Sequence, residues 1–360
     1  MSDLILFVGG LLALVAGAEL LVRGASRLAL SLGLSPLVVG LTVVAFGTSA
    51  PEMAVSAGAV LDGRNDIAVG NVVGSNIFNV LGILGLSALV APLVVHSQVI
   101  RQEVPIMIGT SLLLLALSLD GVIGLADAAL LAALIVAYTA FLVLQARRGP
   151  QPVSAEFEAQ MPATGRRLSR LPVQLGFVVA GLALLVAGSG WLVDAATSFA
   201  RSLGVSDLVI GLTIVAAGTS LPELATSTLA ALRGERDIAV GNVVGSCTFN
   251  ILGCLGVSGL LASGGLPVAA ALVNFDIWVM LAVAFACVPV ALSGREIARW
   301  EGALFLLYYA AYTVYLILAA REHDALPAFS QAMLSFAVPL TIVTLVVAML
   351  RQPASHRPHR

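Results

Sequence analysis

Apolar residues run through this chain in long blocks, and polar residues interrupt them at intervals that a lipid bilayer would set. A hydrocarbon core about 30 Å thick needs roughly 20 residues of α-helix to cross it. Runs of that length predict eleven helices, near 3–22, 35–60, 67–91, 101–119, 123–145, 172–194, 206–232, 238–262, 271–292, 297–319 and 328–350. The one long polar stretch, 146–171, carries Arg147, Arg148, Glu156, Glu158, Arg166, Arg167 and Arg170 and reads as a linker.

The pattern occurs twice. Residues 40–52 read GLTVVAFGTSAPE and residues 211–223 read GLTIVAAGTSLPE, and 35–84 matches 206–255 at 33 of 50 positions without a gap, at an offset of 171. Five helices separate the copies, an odd number, so the two enter the membrane from opposite sides. The predicted fold is therefore an all-α polytopic membrane protein of two inverted-topology five-helix repeats, ten helices in all, plus an eleventh C-terminal helix. The boundaries follow: first repeat 1–145, linker 146–171, second repeat 172–320, extra helix 328–350 and basic tail 351–360. Inverted repeats are the architecture of many secondary transporters, with the site near the midplane.

Composition agrees and adds an orientation. The 360 residues are 59% hydrophobic and 11% charged, which excludes an ordinary soluble enzyme or nucleic-acid binder and makes the bilayer the chain's main partner. All 18 basic residues are arginine. With the amino terminus outside, the inner face collects 15 of them, and only Arg64, Arg201 and Arg321 lie outside. Positive charge accumulates on the cytoplasmic side, so the expected placement is the cell membrane, amino terminus out and carboxyl terminus in. The start, MSDLILFVGG, lacks the basic region of a signal peptide. Cys247, Cys254 and Cys287 sit in apolar segments and read as small hydrophobes, not a disulfide framework.

Each repeat places a glutamate, Glu52 or Glu223, directly after a proline inside an apolar helix. An ionisable group at membrane depth costs about 2.5–3.5 kcal/mol on insertion scales. Pro51 and Pro222 have no N–H, so the carbonyls of Gly47 and Gly218 lose their helical partners. Broken helix at this depth must line protein or a wet cavity. Freed carbonyls, the hydroxyls of Thr48, Ser49, Thr219 and Ser220, and one carboxylate per repeat make an oxygen-rich acidic site. Hard cations such as Ca²⁺ take roughly six to eight oxygens in a flexible cage.

The next helix carries GNVVGSNIFN at 70–79 and GNVVGSCTFN at 241–250. Ser75 and Asn79, like Ser246 and Asn250, are four apart and share one helix face, with Asn71 and Asn242 a turn further along. Gly70, Gly74, Gly241 and Gly245 form small-xxx-small patterns for close helix approach. Structural alternatives stand beside these readings. The prolines can be simple kinks, the threonines can bond back to their own helix, and the asparagines can be interhelical glue. The glutamates can be protonated structural carboxyls. Glu19 and Asp194 lack acidic counterparts in the other repeat and read as structural. Asp66 and Asp237, at matching loop positions, read as helix caps.

At these residues the chain resembles the cation/calcium exchanger superfamily, in its prokaryotic sodium/calcium exchanger branch. GTSAPE with GNVVGSNIFN, and GTSLPE with GNVVGSCTFN, look like that family's two repeats, and the resemblance covers the first ten helices. It implies a secondary active antiporter, not an enzyme, that exchanges Ca²⁺ for Na⁺ by alternating access, with Glu52 and Glu223 binding Ca²⁺ and Thr48 and Thr219 beside them. Ser49, Ser220, Ser75, Ser246 and backbone carbonyls near Ala45 and Ala216 would line Na⁺ sites, and Asn79 and Asn250 would take the centre. The transported ions are cargo, and no cofactor is implied. In some relatives the position of Asn250 is an aspartate, whereas both central residues here are amides. That departure keeps H⁺ or K⁺ open as counter-ion. A cation channel built on the same repeat, or an intramembrane enzyme using the two carboxylates as acid and base, are the competing classes.

Overall fold

The computed structural model describes residues 2–32, 34–148, 171–202, 216–292 and 295–350. The predicted linker lies almost wholly outside these residues, as do the start of the seventh helix and the basic tail. Eleven helical segments appear where the apolar blocks placed them. The first repeat begins with α1 (Ser2–Leu32) and α2, which is broken into Pro36–Thr48 and Ala50–Leu61. In α3, Asn65–Phe78 runs through a π turn into Gly85–Val90. The π turn Val99–Glu103 leads into Val104–Leu117 as α4, and α5 is Leu125–Arg148. The second repeat opens with α6 (Leu171–Ser202) and α7, described from Ala216–Gly218 and Leu221–Leu232. In α8, Arg236–Phe249 continues through Asn250–Cys254 into Leu255–Leu261. Leu272–Asp276 and Ile277–Leu292 make α9, and Arg299–Ala320 is α10. The extra helix, α11, runs from Leu326–Ala332 to Val338–Leu350.

Eight described helices are each long and apolar enough to cross a membrane, and the bent pair in α2 makes a ninth. Helix α8 is buried throughout and α3 largely so, while α5, α10 and α11 are mostly exposed on the apolar periphery. The two helices that carry the GNVVGS motifs are thus the centre of the molecule.

Helices α1 and α6 are longer than their apolar runs, at 31 and 32 residues. At 1.5 Å per residue each is about 46–48 Å long, so a bilayer of ~30 Å accommodates it by tilt. Arg23 and Arg27 therefore lie inside α1, not beyond its end. The two helices run antiparallel, joined by glycines. A Cβ added at Gly10 would meet Gly188 O at 2.8 Å, and one at Gly17 would meet Gly181 O at 2.8 Å. Small residues let membrane helices approach backbone to backbone, and here the 171-residue offset relates Gly10 to Gly181 and Gly17 to Gly188.

Two short strand pairs, not foreseen from the sequence, join the repeats. Strand β1 (Leu93–Val94) pairs antiparallel with β4 (Glu296–Ile297), and β2 (Val122–Ile123) with β3 (Leu266–Pro267). Exchanging the repeats swaps β1 with β3 and β2 with β4, so each pair maps onto the other. The turns after α2 and α7 match as well. Gly63 and Gly234 sit at φ 75° and 80°, a conformation that favours glycine. The capping assignment for Asp66 and Asp237 is corrected: the caps are Arg64 and Glu235, and both aspartates fall in the first helical turn. Helices α3 and α8 each start two residues earlier than the apolar pattern suggests.

The glycine seam yields a prediction. Gly17→Ala and Gly181→Ala should each destabilise the protein by about 1–3 kcal/mol through overpacking. Gly58→Ala, where an added Cβ meets nothing within 4 Å, should not. Thermal unfolding of the three variants in detergent micelles makes the comparison.

Candidate cation site

The break in each broken helix has the same local cause. Proline cannot donate to the carbonyl four residues back, and it is well placed in the first turn of a new helix. Ser49 and Ser220 occupy the junctions, at φ −80°, ψ 7° and φ −92°, ψ 10°. Glu52 and Glu223 fall in the first turn of the segment that follows, where unpaired N–H groups favour a negative charge.

The breaks meet at the centre, and their side chains cross over. Ser220 Oγ donates to Glu52 Oε1 at 2.7 Å, and Ser49 Oγ donates to Glu223 Oε1 at 3.0 Å. Each carboxylate is therefore held by the serine of the other repeat. Both glutamates are 0% exposed. Among the described residues, no arginine forms an ion pair with either. The second oxygen of each, Glu52 Oε2 and Glu223 Oε2, has no hydrogen-bond partner. Two buried carboxylates, each with one bare oxygen, form an arrangement into which a cation fits.

The surrounding donors follow the same twofold. Asn242 Nδ2 donates to Ser227 Oγ at 2.9 Å, and Asn71 Nδ2 to Ser56 Oγ at 3.0 Å. Asn242 Oδ1 in turn accepts from Thr48 Oγ1 at 3.0 Å, which leaves the threonine oxygen's lone pairs free and rules out a bond back to its own helix. Ser220 Oγ also lies 3.3 Å from Ser75 Oγ. Ser246 Oγ lies against the Glu223 carboxylate, though its geometry falls short of a hydrogen bond. Ala45 O accepts from Ser49 N–H at 3.0 Å, so one of its two lone pairs is used. Thr219 sits half-buried beside the second break, and Ala216 opens the described part of α7.

The two central amides differ. Asn79 is fully buried, and neither Oδ1 nor Nδ2 has a hydrogen-bond partner, with the Cys247 thiol beside it. Asn250 donates to Asn76 Oδ1 at 3.2 Å and accepts weakly from Cys254 Sγ at 3.7 Å. Both open π turns, a feature frequent at functional sites. The small-residue patterns work as expected on α8. A Cβ at Gly245 would meet Leu41 O at 2.8 Å and one at Gly241 would meet Leu37 O at 3.0 Å, so the first segment of α2 lies directly on that helix. The stretch of the second repeat that matches Leu37 and Leu41 falls within 203–215, outside the described residues.

The geometry fits a hard cation: two carboxylates, several hydroxyls, an unpartnered amide and half-used carbonyls. No group of three or more His, Cys, Asp or Glu that could hold a metal occurs among the described residues. The acidic charge at the centre thus comes from the two glutamates.

Residues 2–145 and 173–318 match the family described as sodium/calcium exchanger protein. The chain belongs to the sodium/calcium exchanger family. It is 41% identical over 273 residues to the putative antiporter CaxA of Alkalimonas amylolytica, across 74% of this chain and 84% of that one. The sodium/calcium exchanger MaX1 of Methanosarcina acetivorans is 34% identical over 303 residues, 76% of this chain and 86% of the relative. The sodium-calcium exchanger NCX_Mj, in a structure soaked with zero Na⁺ and Ca²⁺, superposes with a TM-score of 0.74 at 31% identity, covering 88% of this chain and 99% of that chain. This family member is a multi-pass membrane protein and a secondary transporter rather than an enzyme, and its α11 lies beyond the residues that the family covers.

Sequence reasoning missed several partners. Asn76 does more than complete its motif: its Nδ2 donates to Cys247 O at 3.1 Å while its Oδ1 holds Asn250, so it clamps α3 to α8. The signal was present as a mismatch, since Asn76 aligns with Cys247. Ser56 and Ser227, four residues after each glutamate, orient Asn71 and Asn242. A second duplicated pair was also overlooked. Glu103 accepts from Tyr138 at 2.8 Å, and Asp276 accepts from Tyr312 at 2.8 Å, each pair tying a π turn to the following helix.

Asn76→Ala should leave the buried Asn250 amide without its acceptor and strip a second donor from Cys247 O, costing about 1–3 kcal/mol. Thermal unfolding in detergent reads this directly, and an unchanged midpoint would mean that the clamp contributes nothing.

Proposed function

We propose that this chain is a secondary active antiporter of the cell membrane that moves Ca²⁺ in exchange for Na⁺, one occupancy of a midplane site replacing the other. The observation that carries the reading is the crossed pair of serine–glutamate hydrogen bonds, which brings two uncompensated carboxylates from opposite repeats together. One Ca²⁺ brings two ionised carboxylates to neutrality, and so do two monovalent cations. The two occupancies therefore compete for the same charge.

In this reading Glu52 and Glu223 bind Ca²⁺, with Thr48 and Thr219 adding oxygens. Ser49, Ser75, Ser220, Ser246 and the carbonyls of Ala45 and Ala216 serve the monovalent ions, and Asn79 and Asn250 line the centre. The arginine distribution supports an amino terminus outside and a carboxyl terminus in the cytoplasm. Alternating access follows from movement of the glycine-seamed α1–α6 pair against the core of α2, α3, α7 and α8. Proton exchange remains the second reading, favoured by one observation: both central residues are amides, so the site has two acids and not three.

Glu52→Gln or Glu223→Gln should each abolish Ca²⁺ uptake into proteoliposomes under an imposed Na⁺ gradient while leaving the thermal unfolding profile of a folded protein. Transport at the wild-type rate in either variant removes the site assignment. Asn250→Asp adds a third acid and should shift the preference among Na⁺, H⁺ and K⁺ gradients as drivers of uptake. Unaltered preference would reduce Asn250 to an interhelical tie.

A further inference from the structure

The core obeys the twofold, but the bonds that hold the α1–α6 pair to it do not. On the side of the second repeat, Ser189 of α6 donates to Gly218 O at 2.6 Å. That carbonyl is the one Pro222 leaves without a helical partner. At the other end of α7, its C-cap residue Arg233 forms an ion pair with Glu19 of α1, and Glu19 also holds Arg23 one turn along its own helix. The side chains of Glu19 and Arg233 are 22% and 35% exposed, so the pair is partly shielded from solvent.

Among the described residues, the first repeat has no equivalent. By the 171-residue offset Ser189 corresponds to Ala18, Glu19 to Gly190 and Arg233 to Asp62. Alanine and glycine offer no side-chain partner, and Asp62 is taken by Arg64 within its own loop at 3.0 Å. Among the described residues, no side-chain hydrogen bond or ion pair joins α1 or α6 to α2. Among the described residues, the side-chain hydrogen bond and ion pair that tie the moving pair to the broken helices thus both fall on α7.

The asymmetry has a thermodynamic meaning. In an inverted-repeat carrier, exchanging the conformations of the two repeats converts one access state into the other. Contacts that obey the twofold contribute equally to both states and cancel. Only contacts made by one repeat shift the balance, because a ligand or bond biases an equilibrium by its differential free energy alone.

We propose that Ser189, Glu19 and Arg233 are positioning residues that latch the α1–α6 pair to α7 and set which membrane face the site favours. The inference rests on the alternating-access reading above. Apparent affinity at a face is the intrinsic affinity reduced by the fraction of protein open to that face. The ratio of half-saturating Ca²⁺ at the two faces therefore reads the equilibrium between access states, with intrinsic affinity divided out.

The test uses full-length protein in right-side-out and inside-out vesicles, with Ca²⁺ uptake measured from each face. Ser189→Ala, Glu19→Gln and Arg233→Gln should each move the ratio in the same direction by about three-fold, the scale of one hydrogen bond or partly exposed ion pair. Glu19→Gln with Arg233→Gln should move it no further than either alone, because partners in one interaction are not additive. Ser189→Thr keeps the hydroxyl and should keep the ratio. Amide hydrogen exchange without Ca²⁺ or Na⁺ gives a second readout, with Ser189→Ala speeding exchange in 216–233 and leaving 45–62 unchanged. An unchanged ratio in Ser189→Ala and Glu19→Gln, or equal shifts at both faces, overturns the latch whatever exchange shows. Absence of Ca²⁺ uptake by the wild-type protein overturns the transport reading instead, and the exchange comparison then decides the latch.

Discussion

Everything in this structure answers to one electrostatic constraint: two carboxylates are buried together at the centre of an apolar protein, and among the described residues no cationic side chain pairs with them. A like-charged buried pair is costly unless hydrogen bonds and counter-charge offset it. The protein supplies part of the offset itself, through the crossed serines and the helix N-termini that face each glutamate. In the proposed reading, mobile cations supply the rest. That incompleteness suits a carrier, since a resident lysine or arginine would neutralise the pair permanently and leave nothing to exchange.

The twofold organises the remaining architecture around that centre. It sets the antiparallel glycine seam between α1 and α6, the paired turns at Gly63 and Gly234, and the interchange of the two strand pairs. It also places the two acid–tyrosine ties, Glu103 with Tyr138 and Asp276 with Tyr312, at corresponding positions on α4–α5 and α9–α10. The molecule departs from the twofold where α1 and α6 meet α7, and at Asn76 against Cys247.

Much of this was legible in the sequence because membrane burial leaves a coarse and strong signal. Apolar blocks located the helices, and an ungapped repeat located the glutamates, serines and asparagines that the structure gathers. What stayed hidden has physical reasons. Helix α1 outruns its apolar block because Arg23 is accommodated by Glu19 one turn away and no breaker intervenes. The acid–tyrosine ties escaped because the offset between repeats grows beyond the ungapped region. It is 171 across the motifs, 173 from Glu103 to Asp276 and 174 from Tyr138 to Tyr312. The roles of Ser56, Ser227 and Asn76 depend on which helix faces which, and repeat spacing alone does not carry that information. Asp66 and Asp237 looked like caps because they match between copies, yet the turn glycines shift the helix starts ahead of them.

The central claim is that both glutamates serve a single divalent ion. Equilibrium binding of radioactive Ca²⁺ to the purified protein tests it most directly, with stoichiometry as the readout. The account predicts one Ca²⁺ bound per chain, displaced by monovalent cations. Two independent Ca²⁺ ions per chain, or one that survives neutralising either carboxylate, would contradict it.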